Sequence, residues 1–431
     1  MPSSNKNILE ILRAREERAV RQSSFLAAYD CPLLSFSMNI PGPDKDSALI
    51  RFGFYEGRRR LLARLRPRAE ELRMDAAGPA LLWAVDMAAT GLKSLCEEIE
   101  GDELGRLFDM DVLDERGEKL SRREPRKCLL CGEDARICAR TRRHGLDAVM
   151  GETERRLLDF AAAIHAAKAE EALLTELYTT PKPGLVDRNN SGAHTDMDLA
   201  LFEKSARALR PYFADAFRIG CDRGGARTVM ERLRQRGMEA EEEMFAATGG
   251  VNTHKGMVYT MGLLLGGAGR AFALGGNPVS RGAELTRSDF DETMAGAARR
   301  CESHGEKLYV SKGVRGIRGE AADGFPHACR AAARLREGAG CLRVLTGLMA
   351  ELEDTNVLHR TGEEGGRFVK TAAAGLAALP DAALEKALAE LDETFICRNI
   401  SPGGAADTLA AALFLNSMEQ YWLDAGLERG W

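Results

Sequence analysis

The sequence lacks a surplus of charge of either sign. Sixty lysines and arginines face 65 aspartates and glutamates in 431 residues, a formal net charge of −5. That balance argues against a general polyanion binder, so nucleic acid is not an expected partner. Long apolar runs are missing too. Nothing approaches the roughly 18 consecutive apolar residues of a membrane span, and the opening MPSSNKNILEILRAREERAV has no apolar signal core. A soluble, cytoplasmic protein with no membrane partner is the expectation. Ten cysteines do not make a disulfide scaffold in a chain this long, and their crowding in one segment points to reduced thiols or metal. There is no fixed-period repeat and no low-complexity linker, so length alone implies two domains, or one large domain with insertions.

What is present changes grammar near residues 148 to 155. Before it, LLSFSMNIPGPDKDSALIRFGFYE over 33–56 has two short apolar and aromatic segments around Pro-Gly-Pro, a hairpin-like pattern. PALLWAVDM and GRLFDMDVLD predict strands, and ATGLKSLCEEIEG predicts a helix with Leu92, Leu95, Cys96 and Ile99 on one face. The expected fold class is α+β for residues 1–150. From about 152, Ala-rich amphipathic runs recur, at 198–218, 226–247, 256–274, 284–301, 327–353, 368–392 and 404–424, which predicts an all-α helical bundle over 151–431.

A bundle needs only short polar connections, yet five connections here are dense in functional groups. TPKPGLVDRNNSGAHTDMD carries Lys182, Asp187, Arg188, Asn189, Asp196 and Asp198 in a loop stiffened by proline and glycine. Its aspartates suit Mg²⁺ and its cations suit phosphates, although Asp196 or Asp198 also suits a plain helix cap. TGGVNTHKG places Asn252, His254 and Lys255 where a helix begins and free N–H groups favour an anion. His254 is an acid/base candidate, the alternative being a satisfied structural histidine. SHGEKLYVSKGVRGIRGEAADGFP adds His304, Lys312, Arg315, Arg318 and Glu320, alternatively a solvated charged face. EDTNVLHRTG adds Asp354, Asn356 and Arg360, and RNISPGGAADTLAAALF opens a helix on Pro-Gly-Gly.

In the first half, FDMDV sets Asp109 and Asp111 two apart on a predicted strand, so both carboxylates leave one face, as two-metal phosphoryl-transfer sites need. NIPGPDK offers Asn39 and Lys45 in a stiff turn able to hold a phosphate arm, or merely a turn, with Arg15, Arg18 and Arg122 as further charge. Cys128, Cys131, Cys138 and His144 are spaced C-x2-C-x6-C-x5-H, compatible with a tetrahedral structural Zn²⁺ site or with two cysteines buried on one helix face.

Taken together, TPKPGLVDRNNSGAHTDMD, ATGGVNTHKG, VRGIRGEAADGFP, DTNVLHR and ISPGGAADTLA resemble the triphosphoribosyl-dephospho-CoA synthase family over about 160–425. The resemblance implies that ATP and 3′-dephospho-CoA give 2′-(5″-triphosphoribosyl)-3′-dephospho-CoA and adenine. It places Lys182, Arg188, Asn189, Lys255 and Arg318 on phosphates, Asp187, Asp196 and Asp198 on Mg²⁺, and His254, Asn252, Glu320 and Asp354 in acid/base or orienting roles. REERAVRQ, NIPGPDK, GRLFDMDVLDERGEKLSR and RKCLLCGEDARICARTRRH resemble the holo-citrate lyase synthases, that is the apo-citrate lyase phosphoribosyl-dephospho-CoA transferases, over most of 15–145. This implies transfer of the phosphoribosyl-dephospho-CoA group to a serine of the apo acyl carrier subunit of citrate lyase, with loss of pyrophosphate. The same D-x-D is similar to that of polymerase-β-like nucleotidyltransferases, but no Gly-Ser helix start precedes it. A bifunctional transferase follows, the alternative being a metal-dependent nucleotide or ADP-ribosyl hydrolase fused to a zinc-dependent carrier-docking module.

Overall fold

A computed structural model describes residues 8–288, 290, 295, 296 and 304–428, the side chains of 304–307 excepted. The chain divides into two compact units, Met1–Ala161 with Asp424–Gly426, and Ala162–Leu423 with Leu427–Trp431.

In the first unit, helix α1 (Ile8–Tyr29) precedes β1 (Leu33–Met38), α2 (Ala48–Leu62), β2 (Ala69–Asp75), β3 (Gly78–Ala84), α3 (Ala89–Ile99), β4 (Phe108–Leu113) and α4 (Ala135–Thr141). The four strands form one antiparallel sheet in the order β2-β3-β1-β4. Alternation along the strands separates the faces. Leu34, Phe36, Leu81, Trp83, Met110 and Val112 join Ile50, Phe54 and Leu61 of α2 and Leu92, Cys96 and Ile99 of α3 in one core. On the opposite face, toward β4, Ser35 pairs with Asp111 and Ser37 with Asp109, while Leu33 and Leu82 are buried there.

The hairpin expected over 33–56 does not form, because its second segment is helix α2. Ser47 caps it by accepting from Ile50 N, and Ile50, Phe54, Gly57 and Leu61 recur at helical spacing on its buried side. A β-carbon at Gly57 would strike the Phe36 ring, so glycine lets the helix lie close on the sheet. Strand β2, AEELRMD, carries too many charges to announce itself, as suits an edge strand.

The second unit is helical among its described residues. Helix α5 (Leu146–Tyr178), within which the boundary between the units falls, is followed by α6 (Leu199–Gly220), α7 (Ala226–Thr248), α8 (Lys255–Leu274) and α9 (Pro278–Arg287). Then come α10 (His304–Lys312), α11 (Gly316–Ala322), α12 (Pro326–Arg336), α13 (Cys341–Glu351), α14 (Thr355–Leu376), α15 (Asp381–Cys397) and α16 (Gly403–Asp424). Part of the run expected over 284–301, and the His304 side chain, lie outside the described residues. The run at 327–353 is two helices, interrupted where Gly338 adopts φ 93°.

Helix α8 is apolar and long enough to cross a membrane by length and composition, and most of it is buried inside the unit. Its glycines explain how. A β-carbon at Gly269 would collide with the backbone of α6, and one at Gly267 with that of α9, so three helices meet backbone to backbone. This close packing fixes where the first turn of α8, and with it His254, is presented.

Candidate active sites of the two units

Residues from all five polar segments of the second unit line one cavity of about 980 Å³. First-turn residues of α8, α14 and α16 contribute Lys255 and Gly256, Thr355 and Asn356, and Gly403 and Gly404 to its wall. Three helix N-termini thus bring the positive ends of helix dipoles to a single space, an arrangement suited to anions.

His254 is buried at the start of α8 and lines this cavity. Thr253 Oγ1 donates to Ser205 Oγ (2.7 Å), which leaves the Ser205 hydroxyl proton for His254 Nδ1 at 2.8 Å. A neutral imidazole that accepts the Ser205 proton at Nδ1 carries its own at Nε2. Burial, reinforced by the charge of Lys182, pulls the imidazole pKa down to about 3, so the ring is neutral at physiological pH. It is a hydrogen-bond donor at Nε2, not a resting base.

Asp407 stands on α16 one turn beyond Gly403 and has no hydrogen-bond partner among the described residues. A β-carbon at Gly256 would run into its Oδ2, which accounts for glycine in the first turn of α8. Enclosure, then the neighbouring carboxylates of Glu176 and Asp354, push its pKa well above the ordinary aspartate value. Glu176, near the end of α5, accepts from Lys182 Nζ at 2.5 Å in a buried pair. Neither Glu176 nor Asp407 belongs to the residues expected from sequence. Both sit inside helical runs and not in the conspicuous loops, and only packing brings α5 to α16.

Lys182, Asp196, Asn252, Lys255, Glu320 and Asp354 also line the cavity, in varied states. Lys255 Nζ pairs with Glu241 at 2.9 Å, and Asn252 Oδ1 accepts from Lys255 N at the helix start. Glu320 accepts from both the backbone N and Nδ1 of His327 (2.7 and 2.8 Å). Asp354 caps α14 through Asn356 N and Val357 N and accepts from Ala405 N of α16 (3.0 Å), so it ties two helix starts together. Its pKa is raised by burial, against the pull of those backbone donors. Asp196 has no hydrogen-bond partner among the described residues and stands at the exposed rim.

Other residues of the same loops are spent on the loops. Asp187, expected on a metal, accepts from Lys182 N with one oxygen and from Asn189 N and Asn190 N with the other. Asp198, also expected on a metal, caps α6 by accepting from Leu201 N. Backbone donors thus take up Asp187 and Oδ1 of Asp198, and neither residue lines the cavity. Arg188 lies over the Tyr178 ring at 4.7 Å, and Arg188, Asn189 and Arg318 fall outside the cavity wall. Sequence reasoning singled out Arg360 without a role. It donates to Ala193 O, Asn399 Oδ1 and His194 Nδ1, and so holds three of the five segments in register. His194 Nε2 then donates to Ser401 Oγ at 2.9 Å.

In the first unit, Asp109 and Asp111 leave the polar face of β4 and line two adjoining cavities of about 1230 and 320 Å³. Asp111 Oδ2 lies 2.5 Å from Lys119 Nζ, and Asp109 Oδ1 3.5 Å from Arg126. Burial first, then the charge of Asp111, raises the pKa of Asp109. Arg15, Arg18, Asn39 and Lys45 line the smaller cavity beside them. Lys45 Nζ donates to Ile40 O, and burial, then Arg15, lowers its pKa. Nε and Nη2 of Arg18 are buried with no hydrogen-bond partner among the described residues, and its pKa is lowered chiefly by burial. Asp75 and Asp109 act on this guanidinium through their charge alone, so its buried donors are free to satisfy the oxygens of a phosphate. Arg122 is turned away from that role, because it pairs with the buried Glu100.

The geometry agrees with what similarity shows. Residues 162–425 match the family described as ATP:dephospho-CoA triphosphoribosyl transferase, and residues 6–160 the family described as apo-citrate lyase phosphoribosyl-dephospho-CoA transferase. A protein of Haemophilus influenzae named Protein CitXG is 34% identical over 94% of this chain and 95% of its own length. The protein of the same name from Leuconostoc mesenteroides subsp. cremoris is 31% identical over 95% and 96%. A 2-(5''-triphosphoribosyl)-3'-dephosphocoenzyme-A synthase of Haemophilus ducreyi is 36% identical, covering 67% of this chain and 99% of its own. With one family matched by each half and whole-length relatives carrying both, this chain belongs to the ATP:dephospho-CoA triphosphoribosyl transferase family in its fused CitXG form.

Proposed function

We propose that the chain makes and attaches one prosthetic group, residues 151–431 forming it from ATP and 3′-dephospho-CoA and residues 1–150 transferring it to the apo acyl carrier subunit of citrate lyase. The observation that carries the first step is the facing of neutral His254 and unpartnered Asp407 onto one cavity walled by three helix N-termini. The helix ends and Lys255 hold the triphosphate, which stays intact. The 2′-hydroxyl of dephospho-CoA adds to C1″ of the ATP ribose as the bond from C1″ to adenine N9 breaks. Asp407 takes the hydroxyl proton, His254 Nε2–H donates a hydrogen bond to the adenine anion as it departs, and the proton then passes from Asp407 through solvent to the purine, so that neutral adenine leaves and the carboxylate is restored.

For Mg²⁺ the cavity offers hard oxygen donors at Asp196 and, beside its Lys182 pair, Glu176, which leaves Asp407 as the base. When bound there, the ion supplies neutralisation of the triphosphate charge. In the first unit Asp109 and Asp111 would hold it. There the carrier serine oxygen attacks the phosphorus next to the ribose, a serine–phosphate bond forms and pyrophosphate leaves. Asn39, Lys45, Arg15 and Arg18 receive the triphosphate arm. A nucleotidyltransferase-like arrangement of this unit rests on the paired aspartates of β4 alone.

Incubating the chain with ATP, Mg²⁺ and 3′-dephospho-CoA is expected to release adenine only when dephospho-CoA is present, with the triphosphoribosyl adduct seen by mass spectrometry. Adenine without the adduct overturns the reading in favour of a nucleotide hydrolase.

Ser205 is the positioning residue for His254. Ser205→Ala removes two hydrogen bonds, those to Thr253 and His254, about 1 kcal/mol each, and frees the imidazole tautomer, so kcat should fall about tenfold with KM for ATP little changed. A nitrogen-15 spectrum of the histidines distinguishes this from general loosening: wild type shows His254 protonated at Nε2 alone, and the variant a mixture.

A further inference from the structure

We propose that Cys128, Cys131, Cys138 and His144 hold one Zn²⁺ in a closed Cys3His site, and that this ion is what orders the basic segment bordering Asp109 and Asp111. The four ligand atoms lie within 4.8 Å of one another, with Cys131 Sγ 3.5 Å from Cys138 Sγ and His144 Nε2 3.3 Å from Cys131 Sγ. Zinc–sulfur bonds of about 2.3 Å in a tetrahedron require sulfur–sulfur edges of about 3.8 Å and sulfur–nitrogen edges of about 3.5 Å. The Cys131–Cys138 and Cys131–His144 pairs differ from those edges by tenths of an ångström, and the widest spacing of the set by no more than about 1 Å.

The backbone is folded around this point. Gly132, at φ 73°, turns the chain so that its N–H reaches Cys128 O (3.3 Å), and the N–H groups of Leu130 and Cys131 are directed at the Cys128 sulfur. Lys127 bridges Asp134, which caps α4 and sets Cys138 on that helix. Arg142, left-handed at φ 47°, ends α4 and returns the chain to bring His144 to Cys131.

Hydrophobic packing contributes little to such order, Leu129 being the residue of this segment that packs against the core. Between Lys127 and His144 Cys138 is the sole buried residue, while Leu130 is 38% and Ile137 56% exposed. A short, loop-rich segment with so little apolar burial needs a cross-link or a metal. The sulfur separation is too long for a disulfide, and a Cys131–Cys138 bond would leave Cys128 and His144 with nothing to do.

The consequence reaches the carboxylates through Arg126. Its carbonyl accepts from Ala135 N (2.8 Å), and its guanidinium reaches Glu100 Oε1 (2.6 Å) and Asp109 (3.5 Å). Fixing the metal knuckle therefore fixes a cation beside Asp109.

The full-length chain, purified under reducing conditions, should carry one zinc per chain by plasma mass spectrometry. C128S and C138S should lose it. Cobalt added after a zinc-selective chelator should give the visible bands of a tetrahedral thiolate site in the wild-type chain. Chelation followed by restored Mg²⁺ should lower carrier modification and leave adenine release unchanged. Zinc at the level of the serine variants, together with no cobalt bands in the folded wild-type chain, overturns the proposal, and because the cobalt spectrum needs no substitution, misfolding of a variant cannot hide that result.

Discussion

Asp407→Asn should lower dephospho-CoA-dependent adenine release by about 10²–10⁴-fold, the span of general acid–base catalysis, while carrier modification from supplied triphosphoribosyl-dephospho-CoA continues at the wild-type rate. The substitution keeps shape and removes charge and proton affinity. Asp407 has no hydrogen-bond partner among the described residues, and loss of its charge beside Glu176 and Asp354 should leave folding intact or slightly favoured. A large kinetic effect without loss of thermal stability is therefore the signature. The pH profile gives a second check. A carboxylate whose pKa is raised by enclosure and by like charges takes up its proton at a higher pH than a free aspartate. kcat/KM for the synthase should thus fall on the acid side through that raised value, and the variant should lack this limb. His254 should contribute no limb near neutrality, because with a pKa of about 3 it stays uncharged throughout the working range. An acid limb retained unchanged in Asp407→Asn would assign the proton transfer elsewhere.

Much of the architecture was legible in the sequence because two periodicities carry it. A short apolar run marked β3, alternation marked β4, and the 3.6-residue recurrence marked α3 and α5 to α8. Two failures have physical reasons. Residues 48–62 look strand-like by composition, since Ile, Phe and Tyr crowd there, but Ser47 caps a helix and burial falls on Ile50, Phe54 and Leu61 at helical spacing. Strand β2 hid behind charges that an edge tolerates.

The sites divide along another line. Loops rich in polar residues point to a functional region, but not to which residues face it. Asp187 and Asp198 have the composition of metal ligands and the geometry of local clamps, because a loop of that length must satisfy its own N–H groups. Asp407 is the converse. Its signal was a lone acid in GGAADTLAAALF, a stretch otherwise apolar or small on a mostly buried helix, and a charge kept in such surroundings seldom serves packing. Glu176 gave less, since an acid on a long amphipathic helix is ordinary until the fold sets Lys182 against it.

Replacing both Asp109 and Asp111 by asparagine is expected to lower carrier modification at least about 10³-fold, two losses of several kcal/mol of charge stabilisation in the transition state, and to leave adenine release untouched. The register keeps the pair together: Asp109 and Asp111 stand beside Ser37 and Ser35 of β1, on the side of the sheet away from the main core. Burial and mutual repulsion raise the pKa of Asp109, and Lys119 and Arg126 already stand against the pair. Removing two negative charges should therefore strand two cations, and affinity for the anionic triphosphate arm should hold or rise even as turnover collapses. Loss of kcat with unchanged or lowered KM separates a role in the chemical step from one in binding. Mg²⁺ titration of the remaining activity should shift to higher concentrations for either single variant. If the double variant still modified the carrier at the wild-type rate, the first unit would be a docking surface for the carrier, and the bond to its serine would have to be made elsewhere.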